Sequence, residues 1–238
     1  MSTVLVTGAS RGLGLELVRQ YAADGWHVIA TCRRPADSPE LDALANSVGS
    51  KVTVEALDVT GHAAIEALAL KYRGTSIDIL VNNAGDIGPR DPNRSRLHLQ
   101  QFGTIDYGEW RRVLEINTLS PLKVVEAFVE HVAASVRRQM IFVSSTTASN
   151  VEGVYATFAY CSSKAALNKV VSMLAIALKP RGIVCAAVCP GYVRTRLGGD
   201  AAVLGVEESI TGLRQVIDAL TLERTGSFTR YNGETIAW

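Results

Sequence analysis

Short apolar runs alternate with stretches of helical periodicity along most of the chain. Thr3–Thr7 is a β-branched run that reads as a strand, and Leu13, Leu17, Val18 and Tyr21 behind it fall on one helical face. His27–Cys32 reads as the next strand, Leu41–Val48 as a short helix, Lys51–Leu57 as a strand with alternating faces and Ala63–Tyr72 as a helix. Ile77–Val81 is a compact strand that stops at Asn82-Asn83-Ala84-Gly85. Beyond it the pattern predicts one long helix over Tyr107–Val132, a strand over Met140–Ser144 and a helix over Tyr160–Leu178. A strand over Ile183–Cys189 then ends at Pro190-Gly191, and a last helix covers Val206–Leu222. Strands interleaved with helices require right-handed crossovers that cover both faces of a parallel sheet. The expected fold is α/β, a doubly wound parallel sheet. Without a repeat or a linker of shifted composition, residues 1–238 read as a single domain.

Asp86–Gly103 breaks this rhythm, being polar, with Pro89, Pro92 and three arginines between a strand and a helix. A loop of this length serves either function or an interface, or is a tolerated surface insertion. Composition narrows the class. Over 238 residues, 24 Lys plus Arg balance 23 Asp plus Glu, so no basic excess exists for neutralising nucleic-acid phosphates. Mean hydropathy is +0.16, but no apolar run reaches the roughly 20 residues of a spanning helix. No membrane or nucleic-acid partner is expected. Met1-Ser-Thr leads into an apolar run without the pattern of a signal peptide, so a cytoplasmic location is expected. Cys32, Cys161, Cys185 and Cys189 read as structural thiols, and the scattered histidines give no metal centre.

Candidate chemistry begins at Thr7-Gly8-Ala9-Ser10-Arg11-Gly12-Leu13-Gly14, where the first strand turns into a helix. Glycines there allow backbone to approach a phosphate closely, and free N–H groups at a helix N-terminus favour anions. Dinucleotide sites selective for NAD carry an acid after the second strand, about 20 residues past the glycines. This chain has Thr31-Cys32-Arg33-Arg34 instead, with Arg11 as a further cation in the turn. Guanidinium pairs with a 2′-phosphate that a carboxylate would repel, so the expected cofactor is NADPH. Tyr160 and Lys164 are spaced to share one helical face, where an ammonium brings a phenol's pKa toward working pH. Ser144-Ser145 ends a strand at the sheet edge where α/β ligands bind, so a serine hydroxyl is placed to donate to a carbonyl oxygen.

Thr-Gly-x-x-x-Gly-x-Gly at 7–14, Asp58-Val59, Asn82-Asn83-Ala84-Gly85, Asn117, Ser144-Ser145, Tyr160-x-x-x-Lys164 and Pro190-Gly191 follow one another in the order seen in the short-chain dehydrogenase/reductase family. The whole chain resembles that family, and Gly198-Gly199 with the ending Gly233-Glu234-Thr235-Ile236-Ala237-Trp238 is similar to its C-factor and sniffer-type carbonyl reductase branch. The resemblance implies a Rossmann fold, hydride transfer between NADPH and a small-molecule carbonyl compound, and a homodimer or homotetramer. It implies Tyr160 as general acid/base, Lys164 as the group that lowers its pKa and holds ribose hydroxyls, Ser145 as carbonyl polariser and Asn117 as part of a water relay. Cofactor contacts are implied at Gly8, Ser10, Arg11, Gly12, Leu13 and Gly14, at Arg33, and at Asp58 and Val59 beside the adenine. Further contacts are implied at Asn82, Ala84 and Gly85 near the ribose, and at Pro190, Gly191, Val193 and Thr195 near the nicotinamide.

Pro121 has no N–H, so the carbonyl of Asn117 loses its helical donor and either holds a water or marks a packing kink. The 15 residues from Ser145 to Tyr160 exceed the family's commonest spacing, which keeps Ser144 and Thr147 open as alternative hydroxyls. The extra length lies in Ala148–Thr157, a candidate pocket wall. Tyr155 is no rival base, because position 159 is alanine. A binding or signalling protein that keeps the dinucleotide site is the alternative reading, and turnover separates the two.

Overall fold

The computed structural model describes residues 1–89, 100–152, 156–199 and 201–238. Seven strands form one wholly parallel sheet: β1 (Thr3–Val6), β2 (His27–Cys32), β3 (Val52–Ala56), β4 (Ile79–Asn82), β5 (Gln139–Val143), β6 (Val184–Cys189) and β7 (Phe228–Arg230), in the order β3-β2-β1-β4-β5-β6-β7. The chain runs outward from β1 to β3 and then returns to add β4 on the other side of β1. The reversal leaves a crevice at the carboxyl ends of β1 and β4, the place where doubly wound sheets bind ligands.

Helices cover both faces. Val4 and Val6 of β1 point to the layer built by α1 (Gly12–Ala23), α2 (Pro39–Val48) and α7 (Val206–Asp218), packing in one core with Leu17, Val18, Leu41, Leu213 and Ile217. Leu5, between them, points the other way, into the layer of α3 (His62–Lys71), α5 (Ser120–Ala133) and α6 (Phe158–Leu178). That core includes Ile65, Phe128, Leu167 and Val171. Burial on both faces, with side chains alternating between them, explains why β1 is apolar from Val4 to Val6.

Three features differ from the sequence expectation. The single helix over Tyr107–Val132 is broken into α4 (Tyr107–Leu114), a π turn over Glu115–Leu119, and α5. Pro121 has no N–H for the carbonyl of Asn117, and the π turn lies just before it, with Ser120 N–H reaching back to the Glu115 carbonyl. β7 was not expected, because three residues, Phe228-Thr-Arg, are too few to show a period. The helix from Phe158 to Arg181 is long and apolar enough, by composition, to cross a membrane, contrary to the reading of the apolar runs. Its Leu167, Val171 and Ala175 pack in the sheet core. Of the loop at 86–103, residues 90–99 lie outside the described part, as do 153–155 with Tyr155.

Candidate active site

One cavity of about 820 Å³ opens along the carboxyl ends of the strands. Its first wall is the turn from β1 into α1. Gly8 has φ +69°, and a Cβ there would lie 2.8 Å from the Cα of Ala84. At Gly14 a Cβ would collide with the Gly8 carbonyl oxygen and approach Asn83 Nδ2 to 2.6 Å. The two crossover ends are stitched together: Thr7 Oγ1 accepts from the N–H groups of Asn83 at 3.0 Å and Ala84 at 3.1 Å. Asn83 Nδ2 in turn donates to the carbonyls of Thr7 and Gly8 at 2.9 and 3.1 Å. No side chain caps the N-terminus of α1, and its first turn holds no acid. Uncapped N–H groups therefore face the cavity, and no acid of that turn opposes an anion.

Cations gather at this end. Arg11, Arg33 and Arg196 all line the cavity, and Ser10, Arg11, Arg33 and Arg34 line a smaller one of about 260 Å³ beside it. Burial, and then the guanidiniums of Arg196 and Arg33, hold Arg11 below the ordinary arginine range, while Asp86 acts the other way. Arg34 is bridged to Asp37 at 3.0 Å. The donor set suits a ligand with several phosphates, one of them near Arg11 and Arg33. Asp58 and Val59 line the same cavity; Asp58 Oδ1 accepts from Thr60 N–H and Oγ1, which fixes the turn after β3.

The other end collects the hydroxyls. Thr157 caps α6, its Oγ1 accepting from Tyr160 N–H at 3.1 Å, and the first turns of that helix carry Tyr160 and Lys164 into the cavity. Lys164 is 4% exposed, donates to the Val143 carbonyl at 2.7 Å and lies 5.9 Å from the centre of the Tyr160 ring. Burial lowers the Lys164 pKa to about 8. Burial also raises the Tyr160 phenol well above its ordinary value, against a smaller opposite pull from its hydrogen bond with Ser145. Burial dominates this shift, and the Lys164 ammonium is not among its causes in the protein alone.

The three hydroxyl alternatives separate by geometry. Ser144 Oγ donates to the buried Asn168 Oδ1 at 2.6 Å and is thereby occupied. Ser145 Oγ accepts from Thr147 Oγ1 at 3.0 Å and from Thr147 N–H at 3.3 Å, so its own proton is the one that serves Tyr160 in the protein alone. Thr147 is a supporting group for Ser145.

Gly8, Ser10, Arg11, Gly12, Leu13, Gly14, Arg33, Asp58, Val59, Ala84, Gly85, Ser145, Tyr160, Lys164, Pro190, Gly191, Val193 and Thr195 all line the one cavity. Asn82 and Asn117 do not. Asn82 is buried at the end of β4, and Asn83 lines the wall in its place. Asn117 is fully buried: its Oδ1 accepts from Asp86 N–H at 2.8 Å, and its Nδ2 donates to the Asp86 carbonyl at 2.7 Å and Ser163 Oγ at 2.9 Å. Its amide joins the segment after β4 to α6, so only its backbone is left for a relay water. Thr146, Cys189 and Arg230 were missed as lining residues. Arg230 carried no sequence signal, since it depends on the unexpected β7, and Cys189 was read as purely structural.

A family model described as short chain dehydrogenase matches residues 2–202. The chain belongs to that family. C-signal of Myxococcus xanthus is 34% identical over 165 residues, covering 68% of this chain and 93% of that protein. Among solved structures, an NADPH-bound carbonyl reductase from chicken fatty liver superposes with a TM-score of 0.88 at 29% identity, over 100% of this chain and 99% of its own. The carbonyl reductase Sniffer of D. melanogaster gives a TM-score of 0.88 at 28% identity, with both chains covered completely. These relatives place the protein with the C-factor and sniffer type of this oxidoreductase family.

Proposed function

We propose that the protein is an NADPH-dependent reductase that converts an aldehyde or ketone to an alcohol, with Tyr160 as the proton donor. The observation that carries this is the cavity itself, which has the Ser145–Tyr160–Lys164 cluster at one end and the Arg11 and Arg33 guanidiniums at the other. NADPH-bound carbonyl reductase from chicken, so similar in fold, supports the choice of cofactor. When bound, NADPH supplies a hydride to the carbonyl carbon.

The chain's own residues do the rest. Gly8, Gly12 and Gly14 admit the phosphates to the N-terminus of α1, Ser10 and Leu13 frame them, and Arg11 and Arg33 take the 2′-phosphate. Asp58 and Val59 border the adenine, Ala84 and Gly85 the ribose, and Pro190, Gly191, Val193 and Thr195 the nicotinamide. Lys164 serves the ribose hydroxyls, and Asn117 keeps the Asp86 backbone and α6 in register. Ser145, both lone pairs engaged by Thr147, turns its O–H from Tyr160 to the substrate oxygen. Tyr160, kept protonated by burial, gives that oxygen its proton as negative charge develops there, and the Lys164 ammonium stabilises the phenolate left behind. The reverse reaction needs phenolate at Tyr160.

The test is NADPH consumption by purified protein across aldehydes, ketones, quinones and diketones, with NADH and Tyr160→Phe in parallel. The likeness to C-signal supports a second reading, in which the dinucleotide is bound for signalling. NADPH binding without turnover of any carbonyl favours that reading. The assembly proposed with the enzyme, a homodimer or homotetramer, would cover the exposed Leu119, Met173 and Ile176, and light scattering gives its size.

A further inference from the structure

Arg230 ends β7 beside Cys189 of β6 and lines the serine end of the cavity. Its Nη1 donates to Thr146 Oγ1 at 3.0 Å, one residue past Ser145. Its Nη2 donates to Glu152 Oε2 at 2.8 Å, and its Nε lies 3.2 Å from Glu234 Oε2. One guanidinium thus faces two carboxylates, which neutralise it, and the cation left at this end of the cavity is the buried Lys164 ammonium. The Glu152–Arg230 pair is about three-quarters buried, with side chains 29% and 26% exposed, so water screens it only in part. The remaining cavity guanidiniums among the described residues belong to the phosphate end, where Arg196 and Arg33 both act on Arg11. Ala156, Tyr192 and Leu197 line the same cavity.

A bare arginine next to the serine turn would fork onto a substrate carboxylate. Here Glu152 already holds one arm of the fork and Thr146 the other, so an incoming carboxylate would have to displace both to gain the guanidinium. We infer that the substrate is an uncharged carbonyl compound, and that Glu152 is a specificity-determining residue that engages Arg230 and excludes carbonyl compounds bearing a carboxylate. The inference rests on the reductase reading and deepens it.

The experiment compares methyl benzoylformate with benzoylformate, which share one ketone and differ by one charge. In the natural protein the ester's kcat/KM is expected to exceed the acid's by about 100-fold. Glu152→Gln is expected to raise the acid-to-ester ratio about tenfold, and adding Arg230→Gln to remove that gain. The ratio is internal to each variant, so partial loss of folded protein leaves it unchanged. Equal use of acid and ester by the natural protein overturns the inference, as does a ratio unmoved in Glu152→Gln. No turnover of these or of any carbonyl in the wider panel overturns the reductase reading itself.

Discussion

Ser145 and Tyr160 divide the work of activating a carbonyl because their surroundings differ. The serine is polarised by two accepted hydrogen bonds, while the tyrosine is held protonated by burial. Removing the serine hydroxyl in Ser145→Ala is expected to lower kcat by about 10²–10³, with little change in dinucleotide affinity; steady-state kinetics and a binding titration check both. Tyr160 supplies its proton throughout neutral pH, and above about 8 the Lys164 ammonium that supports its phenolate is lost. Carbonyl reduction should therefore be level near neutrality and fall above about pH 8, while alcohol oxidation gains from phenolate as pH rises. Superimposable profiles in the two directions would contradict this. The same lysine has a folded pKa below its unfolded value, so its charge costs stability at neutral pH and ceases to do so as pH rises past 10.5. Lys164→Met relieves about 3 kcal/mol of buried charge at pH 7 and loses about 1 kcal/mol with the Val143 hydrogen bond. Urea unfolding should find it more stable than the natural protein at pH 7, with the gap closing in alkali. That Tyr160 and Lys164 share one helical face was legible from their spacing, with their roles implied only by the family resemblance, whereas the difference between Ser144 and Ser145 was not legible. It turns on which way two adjacent hydroxyls point, and on Asn168, which no spacing connects to them.

At the scale of elements, α6 does the positioning. Its N-terminus is fixed by Thr157, whose hydroxyl takes the N–H of Tyr160 itself. Thr157→Ala is expected to cost about 1 kcal/mol of stability by urea unfolding, and Thr157→Ser to restore most of it; an unchanged midpoint for Thr157→Ala would rule the cap out as a stabilising contact. Asn117, in the π turn, ties the same helix to the segment after β4 through Ser163. Strands β1 to β6 were legible because each is a short run rich in apolar or β-branched residues set between helical stretches. The π turn was not, since apolar spacing continues across it from Val113 to Val124, and Pro121 was its one trace. β7 carries its signal in its sheet partner, with Thr229 opposite Val188.

Over the whole molecule a formal charge of +1 conceals a strong asymmetry. Arg11, Arg33 and Arg196 share one cavity end, whereas at the other Arg230 is paired with Glu152 and Glu234 and Lys164 is the remaining cation. Low-dielectric walls focus such a field on a phosphate-rich ligand. NADPH at about 100 times its dissociation constant should stabilise the fold by about 3 kcal/mol, a rise in melting temperature of about 5–10 °C. NADH at the same concentration should give less, and Arg33→Ala should bring the NADPH shift down to the NADH value. Equal shifts in the natural protein would remove the 2′-phosphate from the account. The charge balance was legible from composition, but its separation into two ends depends on which side chains the crossovers bring together.

The central claim is tested most directly by following NADPH oxidation with a panel of uncharged aldehydes and ketones, in the natural protein and in Tyr160→Phe side by side. Turnover is expected to prefer NADPH to NADH and to fall by about 10³-fold or more in the variant, which still binds NADPH. Turnover that survives in Tyr160→Phe, or NADPH bound tightly with no carbonyl reduced, would contradict it.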